Sequence, residues 1–217
     1  MLDWVLVNWG DRGPGLSIEI TARQTGEMAI LDAHGFSQKS SFFRETFDLS
    51  RELPQRADMQ EGFTIVDMAA HPDYAAQRIL RAEAFQGKSA LSDAELRHEL
   101  LFTNHSHEGP IYHPQTDLCV MAANGRFVAG CEALIDARSA AADIERVCTH
   151  SAFRRRGFAR AVILECLYHL QEMGLRQAYI AGYSPAAVGL YTSIGSTERS
   201  TFYIYEEAAP LGEDDQE

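Results

Sequence analysis

The chain has 217 residues, of which 46% are apolar and 23% are charged, a composition that suits a globular domain with a substantial core. Acidic residues outnumber basic ones by 31 to 19, and the net charge of −12 argues against a protein that binds nucleic acid. No run of about 18 apolar residues is present, so we expect no membrane-spanning helix, and the N-terminus does not resemble a secretory signal. The four cysteines lie at least 12 residues apart in apolar elements, which is typical of reduced cysteines in a cytoplasmic protein.

Apolar periodicity and turn signals predict the elements in chain order. The first 61 residues contain an alternating strand at 16–20, a second strand at 41–47 and a linker at 48–55. After them the pattern predicts strands at 63–68, 118–122, 127–134, 143–149, 178–181 and 201–206, and helices at 74–85, 92–102, 159–173 and 184–194. A polar loop is expected at 103–116, and the acidic tail at 207–217 is expected to be disordered. This order predicts an α/β fold with a mixed, largely antiparallel sheet and helices on both faces.

The most informative stretch is RRRGFA at residues 154–159, between a short apolar strand and a strongly amphipathic helix. Gly157 and the small Ala159 let several backbone N–H groups point at one anion, and the helix dipole adds positive potential there. Arginine side chains at 154–156 add charge and bidentate contacts to oxygen. The stretch therefore predicts a phosphate or pyrophosphate site, and no P-loop or Rossmann glycine pattern is present.

Arg154, Gly157 and Ala159 also fit the pattern (Q/R)-x-x-G-x-(G/A), and with the flanking strand and helix they resemble the GNAT superfamily of N-acetyltransferases. The resemblance covers residues 62–206 and implies the GNAT fold, with acetyl-CoA as cosubstrate. In that family the turn amides bind the pyrophosphate and the preceding strand binds the pantetheine arm. The cofactor-binding residues so implied are Val147, Cys148, Thr149, Arg154, Arg155, Arg156, Gly157, Phe158, Ala159 and Ser184.

A second motif in the same region is similar to the family pattern N-x-x-A-x-x-L-Y-x-x-x-G-F. Here it reads Ser184, Ala187, Leu190, Tyr191 and Gly195, with Ser184 in place of Asn and Ser196 in place of Phe. The resemblance implies that Tyr191 is the general acid that protonates the CoA thiolate. From the helical spacing alone, an aromatic residue at the edge of the core is the favoured interpretation of Tyr191.

The general base and the acceptor are less determined by the sequence. Asp143 and Glu145 share one face of a strand, so either carboxylate could accept the amine proton, directly or through water. The resemblance favours Glu145 as the base, because similar GNAT sequences place a glutamate just before the V-x-T segment, and His150, in the loop after the strand, ranks third. A salt bridge between Glu145 and an arginine is the competing interpretation. Residues 86–117 are expected to shape the acceptor side, with candidate lining residues His105, His107, Glu108 and Tyr112. The histidines at 105, 107 and 113 match no zinc template, so we expect no metal.

Residues 1–61 are similar in spacing to the second half of the GNAT unit. Gly35 corresponds to Gly195, the strand at 16–20 to that at 177–181, and the strand at 41–47 to that at 201–207. We interpret the segment as a remnant of a first GNAT half-domain without its own phosphate turn; an unrelated extension is the alternative. Its apolar residues are expected to dock on the 62–206 domain, on a second copy of the chain, or on both: Trp4, Trp9, Phe42, Phe43 and Phe47.

Taken together, these features predict an acetyl-CoA-dependent N-acetyltransferase that acts by direct attack of a primary amine, on a small molecule or a peptide. A non-catalytic acyl-CoA-binding or regulatory module is the alternative. No nucleic-acid or membrane partner is expected, and a homodimer is possible.

Overall fold

The computed structural model describes residues 2–9 and 15–207, apart from the side chain of Trp9. Its helices are α1 (Leu2–Trp9), α2 (Thr25–Ala33), α3 (Tyr74–Gln86), α4 (Asp93–His107), α5 (Phe158–Glu172) and α6 (Pro185–Ile194). Its strands are β1 (Ser17–Thr21), β2 (Phe36–Asp48), β3 (Phe63–Asp67), β4 (Tyr112–Ala122), β5 (Phe127–Asp136), β6 (Ala141–Thr149), β7 (Gln177–Gly182) and β8 (Glu198–Glu207). The predicted disordered tail lies, except for Glu207, outside the described residues. Among the described helices, none combines the length and apolar character needed to cross a membrane.

The helix boundaries follow local chemistry that the sequence already shows. Ser92 and Glu95 form a reciprocal capping box at the start of α4, and the Ser184 hydroxyl accepts from the backbone N–H of Ala187 at the start of α6. The polar loop expected at 103–116 was wrong in its bounds, because α4 continues to His107 and β4 already begins at Tyr112. The hydroxyl of Thr103 donates to the carbonyl of Glu99 and that of Ser106 to Thr103, so these polar residues are satisfied within the helix.

The eight strands form one sheet in the order β1-β8-β2-β7-β6-β5-β4-β3. All neighbouring pairs are antiparallel except β6 and β7, which confirms the predicted mixed, largely antiparallel sheet. The parallel pairing ends at Ile144 and Ile180, although β6 continues to Thr149. The sheet therefore splits between β6 and β7, and α5 and α6 begin beside the split.

The two faces of the sheet are covered differently. On one face α5 buries the apolar stripe predicted from its periodicity, including Val162, Ile163, Leu167 and Leu170. The opposite face of β5 meets α3, because residues alternate between faces along a strand. This second face carries a polar cluster that is buried beneath α3 and α4.

The N-terminal segment belongs to the same sheet as the rest of the chain. β2 lies between β7 and β8, and β1 pairs with the outer edge of β8. The succession β1-α2-β2 therefore repeats β7-α6-β8 about an approximate two-fold axis between β2 and β8. The corresponding glycines both adopt left-handed φ close to the end of a helix: Gly35, two residues after α2, at +81°, and Gly195, directly after α6, at +101°.

The apolar side chains expected to dock in this segment divide into two groups. Phe42 and Phe47 are each 2% exposed, and Phe42 stacks on Phe202 with ring centroids 5.1 Å apart. Phe43 is 37% and Trp4 60% exposed, and the side chain of Trp9 lies outside the described residues. β2 is thus part of the sheet and its Phe42 and Phe47 belong to the core, whereas Trp4 and Phe43 remain partly exposed.

Candidate active site

A cleft of about 720 Å³ opens where β6 and β7 part. Its walls are the end of β6, the turn before α5 and the first two turns of α6. Of the cofactor-binding residues expected from the sequence, these line it: Val147, Cys148, Thr149, Arg154, Arg155, Gly157, Phe158, Ala159 and Ser184. Tyr191 lines it as well, so residues from four separate elements meet at one place.

The turn before α5 has the backbone conformation of an anion site. Gly157 is the N-cap of α5 with φ of +83°, and Arg155 also has a positive φ of +63°. A Cβ built on Gly157 would meet no atom within 4 Å, so the space beside it is open. The first N–H groups of α5 have no partner within the helix, and they lie at the positive end of its dipole. The turn can therefore hold an anion by backbone donors as well as side-chain charge.

The arginines of the turn have different surroundings. Arg154 donates to the carbonyls of Thr149 and Ala84, at 3.3 and 3.4 Å, which ties the turn to β6 and α3. Arg155 is exposed and lines the cleft. Arg156 is the one predicted cofactor-binding residue that does not line the cleft, because its guanidinium stacks over Phe63 and donates to the Gln60 side chain.

Arg160 is a cleft residue that sequence reasoning missed. It lies one turn into α5, lines the cleft, and donates from Nη1 to the carbonyl of Ser193 at 2.9 Å. The sequence offered a signal for it, because Arg160 follows the Arg154–Arg156 run within the first turn of the helix predicted from Ala159. Its charge adds to the positive potential at the turn.

A β-bulge in β6 exposes backbone groups to the cleft. The register with β5 shifts between Gly130 and Glu132, and the extra residue is Arg146, which has φ of +53°. Beyond the bulge, Val147, Cys148 and Thr149 have β5 on one side, and the β7 pairing has already ended on the other. Among the described residues, the peptide groups on that side have no strand partner, although the Thr149 carbonyl accepts from Arg154, so the others can pair with an extended ligand.

Tyr191 lies at the fork of the split sheet. Its side chain is 5% exposed, and a Cβ on Gly182 would come within 3.3 Å of its ring, so the ring rests directly on the end of β7. Burial, followed by the charges of Cys131 and Glu145, raises the pKa of Tyr191 to about 12. The phenol therefore stays protonated through the neutral range and can donate a proton or a hydrogen bond.

The candidate bases lie beside a second cavity of about 340 Å³, next to the bulge. Asp143, Glu145 and Arg146 line it together with Glu132 and Ile111. Desolvation, and then the charge of Asp143, raises the pKa of Glu145, which makes it more basic than an ordinary glutamate. His150 is engaged elsewhere: Nδ1 accepts from the N–H of Ala152, and Nε2 contacts the Arg126 guanidinium.

A buried ionic network borders these cavities and was not foreseen from the sequence. Arg81 bridges the carboxylates of Asp117 and Glu132, at 3.4 and 2.8 Å, and Arg146 also binds Glu132, at 2.6 Å. Gln77 and Tyr112 donate to Asp117. Burial raises the pKa of Asp117 to about 6 despite the opposing charge of Arg81. The signal available was an acidic residue within the apolar strand β5, Glu132, and a second one, Asp117, directly before the apolar end of β4.

The residues expected on the acceptor side separate into two pairs. His107 stacks on Tyr112 with ring centroids 3.5 Å apart, at the edge of the network, and burial lowers the pKa of His107 to about 4. His105 and Glu108 are exposed.

One group of possible ligands for a metal ion occurs at the same place. Ligand atoms of His107, Asp117 and Glu132 lie within 4.8 Å of one another. Both carboxylates already accept hydrogen bonds from Arg81, so a cation there would compete with a guanidinium for the same oxygens. This donor set suits an ion pair better than a metal.

A mixed sheet that splits beside a glycine turn at a helix N-terminus is the architecture of the GNAT acyltransferases. Residues 74–195 match the Acetyltransferase (GNAT) family, and the chain belongs to this family.

Solved structures share the fold at low sequence identity. A GCN5-related N-acetyltransferase from Sphaerobacter thermophilus has a TM-score of 0.69 at 20% identity, over 97% of this chain and 69% of that one. A GCN5-related N-acetyltransferase from Kribbella flavida gives 0.61 at 16%, over 90% and 69%. A tandem GNAT protein from the clavulanic acid biosynthesis pathway gives 0.64 at 14%, over 90% and 65%. No match was found among curated proteins.

Proposed function

We propose that the protein is an N-acetyltransferase that moves the acetyl group of acetyl-CoA to a primary amine by direct attack. The observation that carries the proposal is the meeting, in one cleft, of an anion turn, a strand with unpaired peptide groups and a buried tyrosine. Each part suits one part of the cosubstrate: the pyrophosphate, the pantetheine arm and the departing sulfur. Acetyl-CoA, when bound, supplies the activated thioester.

The turn would hold the pyrophosphate through the N–H groups at the start of α5, assisted by the charges of Arg155 and Arg160. The side chain of Arg156 is left out of this set because it is committed to Phe63 and Gln60. Val147 and Thr149 would pair with the amide groups of pantetheine as a further strand would. With these contacts the thioester would lie near the bulge at Arg146, which also lines the second cavity.

The chain's own groups would then manage two protons. Glu145, with its raised pKa, accepts a proton from the amine directly or through water, which leaves a neutral nucleophile. As the new C–N bond forms and the C–S bond breaks, the Tyr191 hydroxyl donates to the departing thiolate. Orientation of amine and thioester in a closed site supplies further rate acceleration, up to about 7–11 kcal/mol in ideal intramolecular cases.

The N-terminal segment fits the proposal as the closing half of a first GNAT unit. β1-α2-β2 repeats β7-α6-β8, and one similar fold carries the description of a tandem GNAT protein. In the described part of the segment no anion turn of the kind before α5 occurs, so we propose one acetyl-CoA site per chain. The four cysteines are free and buried, which supports work in a reducing compartment such as the cytoplasm.

The test is thiol release from acetyl-CoA across a panel of primary amines, with calorimetric binding of acetyl-CoA measured in parallel. The proposal expects binding together with amine-dependent release. Binding without release for any amine would instead identify a non-catalytic acyl-CoA-binding module, and absence of binding would remove both functions.

A further inference from the structure

A third cavity, of about 160 Å³, lies between α3, α4 and the bulge of β6. Three arginines line it, Arg78, Arg81 and Arg146, with Glu99 and Phe85. So high a density of guanidinium groups around a small space is unusual, because each guanidinium needs oxygen acceptors once it leaves water.

Arg78 is the unexplained member of this group. It is 7% exposed, and its one ion pair is a 3.4 Å contact from Nη1 to Glu99. Its Nε and Nη2 are buried without a hydrogen-bond partner, and so is Nη1 of Arg81. Nε and Nη2 form one edge of the guanidinium plane, the edge that binds a carboxylate with two parallel hydrogen bonds.

The surroundings of Arg78 confirm that its charge is not fully compensated. Burial lowers its pKa first, and the neighbouring charges of Arg81 and Arg146 lower it further, while Glu99 and Glu132 raise it less. Arg81 and Arg146 are paired with carboxylates of the buried network, whereas Glu99 uses a single oxygen on a single nitrogen of Arg78. An added carboxylate would therefore satisfy donors that the protein itself leaves open.

The cavity joins the site where the chemistry is proposed. Phe85 lines both this cavity and the acetyl-CoA cleft. Arg146 lines both this cavity and the second cavity, where Asp143 and Glu145 lie, and it directly precedes Val147. A small molecule at this junction would meet carboxylates at one end and, at the other, guanidinium groups of which three nitrogens have no hydrogen-bond partner.

We propose that the acceptor amine carries a carboxylate, as a free amino acid does, and that Arg78 binds this carboxylate in the third cavity. Asp143 and Glu145 attract the ammonium end, and Arg81 contributes its unpaired Nη1 to the carboxylate end. The proposal rests on the proposed function, since it names the acceptor class of the same site. Arg78 is here a specificity-determining residue and takes no part in proton transfer.

The experiment compares matched pairs of acceptors on the wild-type protein: free amino acids, including ω-amino acids, against their carboxamides. Thiol release at fixed saturating acetyl-CoA gives kcat and KM for each member. We expect the acid of at least one pair to be preferred about tenfold to hundredfold in kcat/KM, the size of a charge-assisted hydrogen-bond pair, and the difference to lie mainly in KM.

Variants then assign the preference to Arg78. Arg78→Gln is expected to abolish the acid-over-amide preference, and Arg78→Lys to retain part of it, because the charge remains and the planar edge is lost. Arg97→Gln is the matched control, since Arg97 is an exposed arginine on α4 outside the cavities. The wild-type comparison stands even where a variant fails to fold.

The outcomes separate this inference from the proposed function. Two results would overturn the carboxylate site and leave the proposed acetyltransferase activity intact. One is amine-dependent thiol release with equal kcat/KM for the acid and the carboxamide in every pair. The other is a preference for the acid that survives in folded Arg78→Gln. If acetyl-CoA binds but no amine is acetylated, the same pairs are titrated by calorimetry in the presence of CoA. Selective binding of the acid to the wild type, with loss of this selectivity in Arg78→Gln, supports the carboxylate site. Absence of selective binding overturns it.

Discussion

Gly157→Asp is the sharpest test of where acetyl-CoA binds. Gly157 is the N-cap of α5 with φ of +83°, and the space where its Cβ would stand is open. An aspartate there adds a negative charge at the place proposed for the pyrophosphate. Gly174 offers a matched control: it follows the other end of the same helix, has φ of +82°, and is equally open.

The structure separates the effect on binding from the effect on stability. Left-handed backbone costs a non-glycine residue about 1–2 kcal/mol at either position. The helix dipole stabilises an acidic group at the N-terminus and destabilises one at the C-terminus, by about 0.3–1 kcal/mol each, so Gly157→Asp should be the more stable variant. Repulsion between charges about 4 Å apart is about 1–4 kcal/mol per pair between the limits of water and a protein surface. Two phosphate charges therefore weaken acetyl-CoA binding at least about 30-fold.

Calorimetric titration with acetyl-CoA and thermal unfolding of both variants give the two readouts. We expect Gly157→Asp to lose binding and to melt at or above the temperature of Gly174→Asp, which keeps wild-type affinity. A dissociation constant of Gly157→Asp within about threefold of wild type, or an equal loss in the control, would refute the placement of the pyrophosphate.

The remaining predictions concern the proton donor, the buried network and the N-terminal segment. Tyr191→Phe should lower kcat about 10²–10⁴-fold with little change in acetyl-CoA affinity, since only the donor is removed; an unchanged kcat would return Tyr191 to a packing role. The raised pKa of Asp117 means that its neutral form favours folding, so this contribution is present below its ordinary pKa of 3.8 and is lost as the pH rises through about 6. Relative to Asp117→Asn, the free energy of unfolding of the wild type should therefore fall by about 2 kcal/mol between pH 3.8 and 6 in chemical denaturation, and a flat difference would contradict this. Deleting residues 1–60 removes both strand partners of β8 and should give insoluble or unfolded protein. Deleting residues 1–15 should leave a soluble chain that binds one acetyl-CoA by calorimetry. Soluble, folded protein from the longer deletion, or a stoichiometry of two, would contradict a structural role of the N-terminal segment without its own acetyl-CoA site.

Local patterns were sufficient for the succession of elements after residue 61 and for the glycine turn before α5, whereas α1 was not predicted. The period of α5, the capping box at Ser92 and the glycine after α6 depend on residues within one or two turns of each other, and all three occur as expected. The roles of Tyr191 and Glu145 came from the family resemblance. The structure places Tyr191 in the cleft and Glu145 beside the adjoining cavity, and both roles stay predictions.

What the sequence did not foresee depends on residues far apart in the chain. Arg156 turns away from the cleft because Phe63 and Gln60, from an element more than 90 residues earlier, provide an aromatic face and an acceptor. The pairing of Arg81 with Glu132 likewise joins α3 to β5, and nothing in either local pattern indicates it. Side-chain contacts of this kind follow from tertiary packing, which periodicity does not report.

The position of β2 links the N-terminal segment to the chemistry proposed for the rest. Phe43 of β2 stands opposite Gly182, the last residue of β7, and the ring of Tyr191 rests on Gly182. A glycine is needed there because a Cβ would come within 3.0 Å of Val188 as well as 3.3 Å of the tyrosine ring. β2 therefore holds the end of β7 that supports the proposed acid. A segment in which we find no anion turn of its own, over its described residues, thus serves the single cleft by fixing one wall of it.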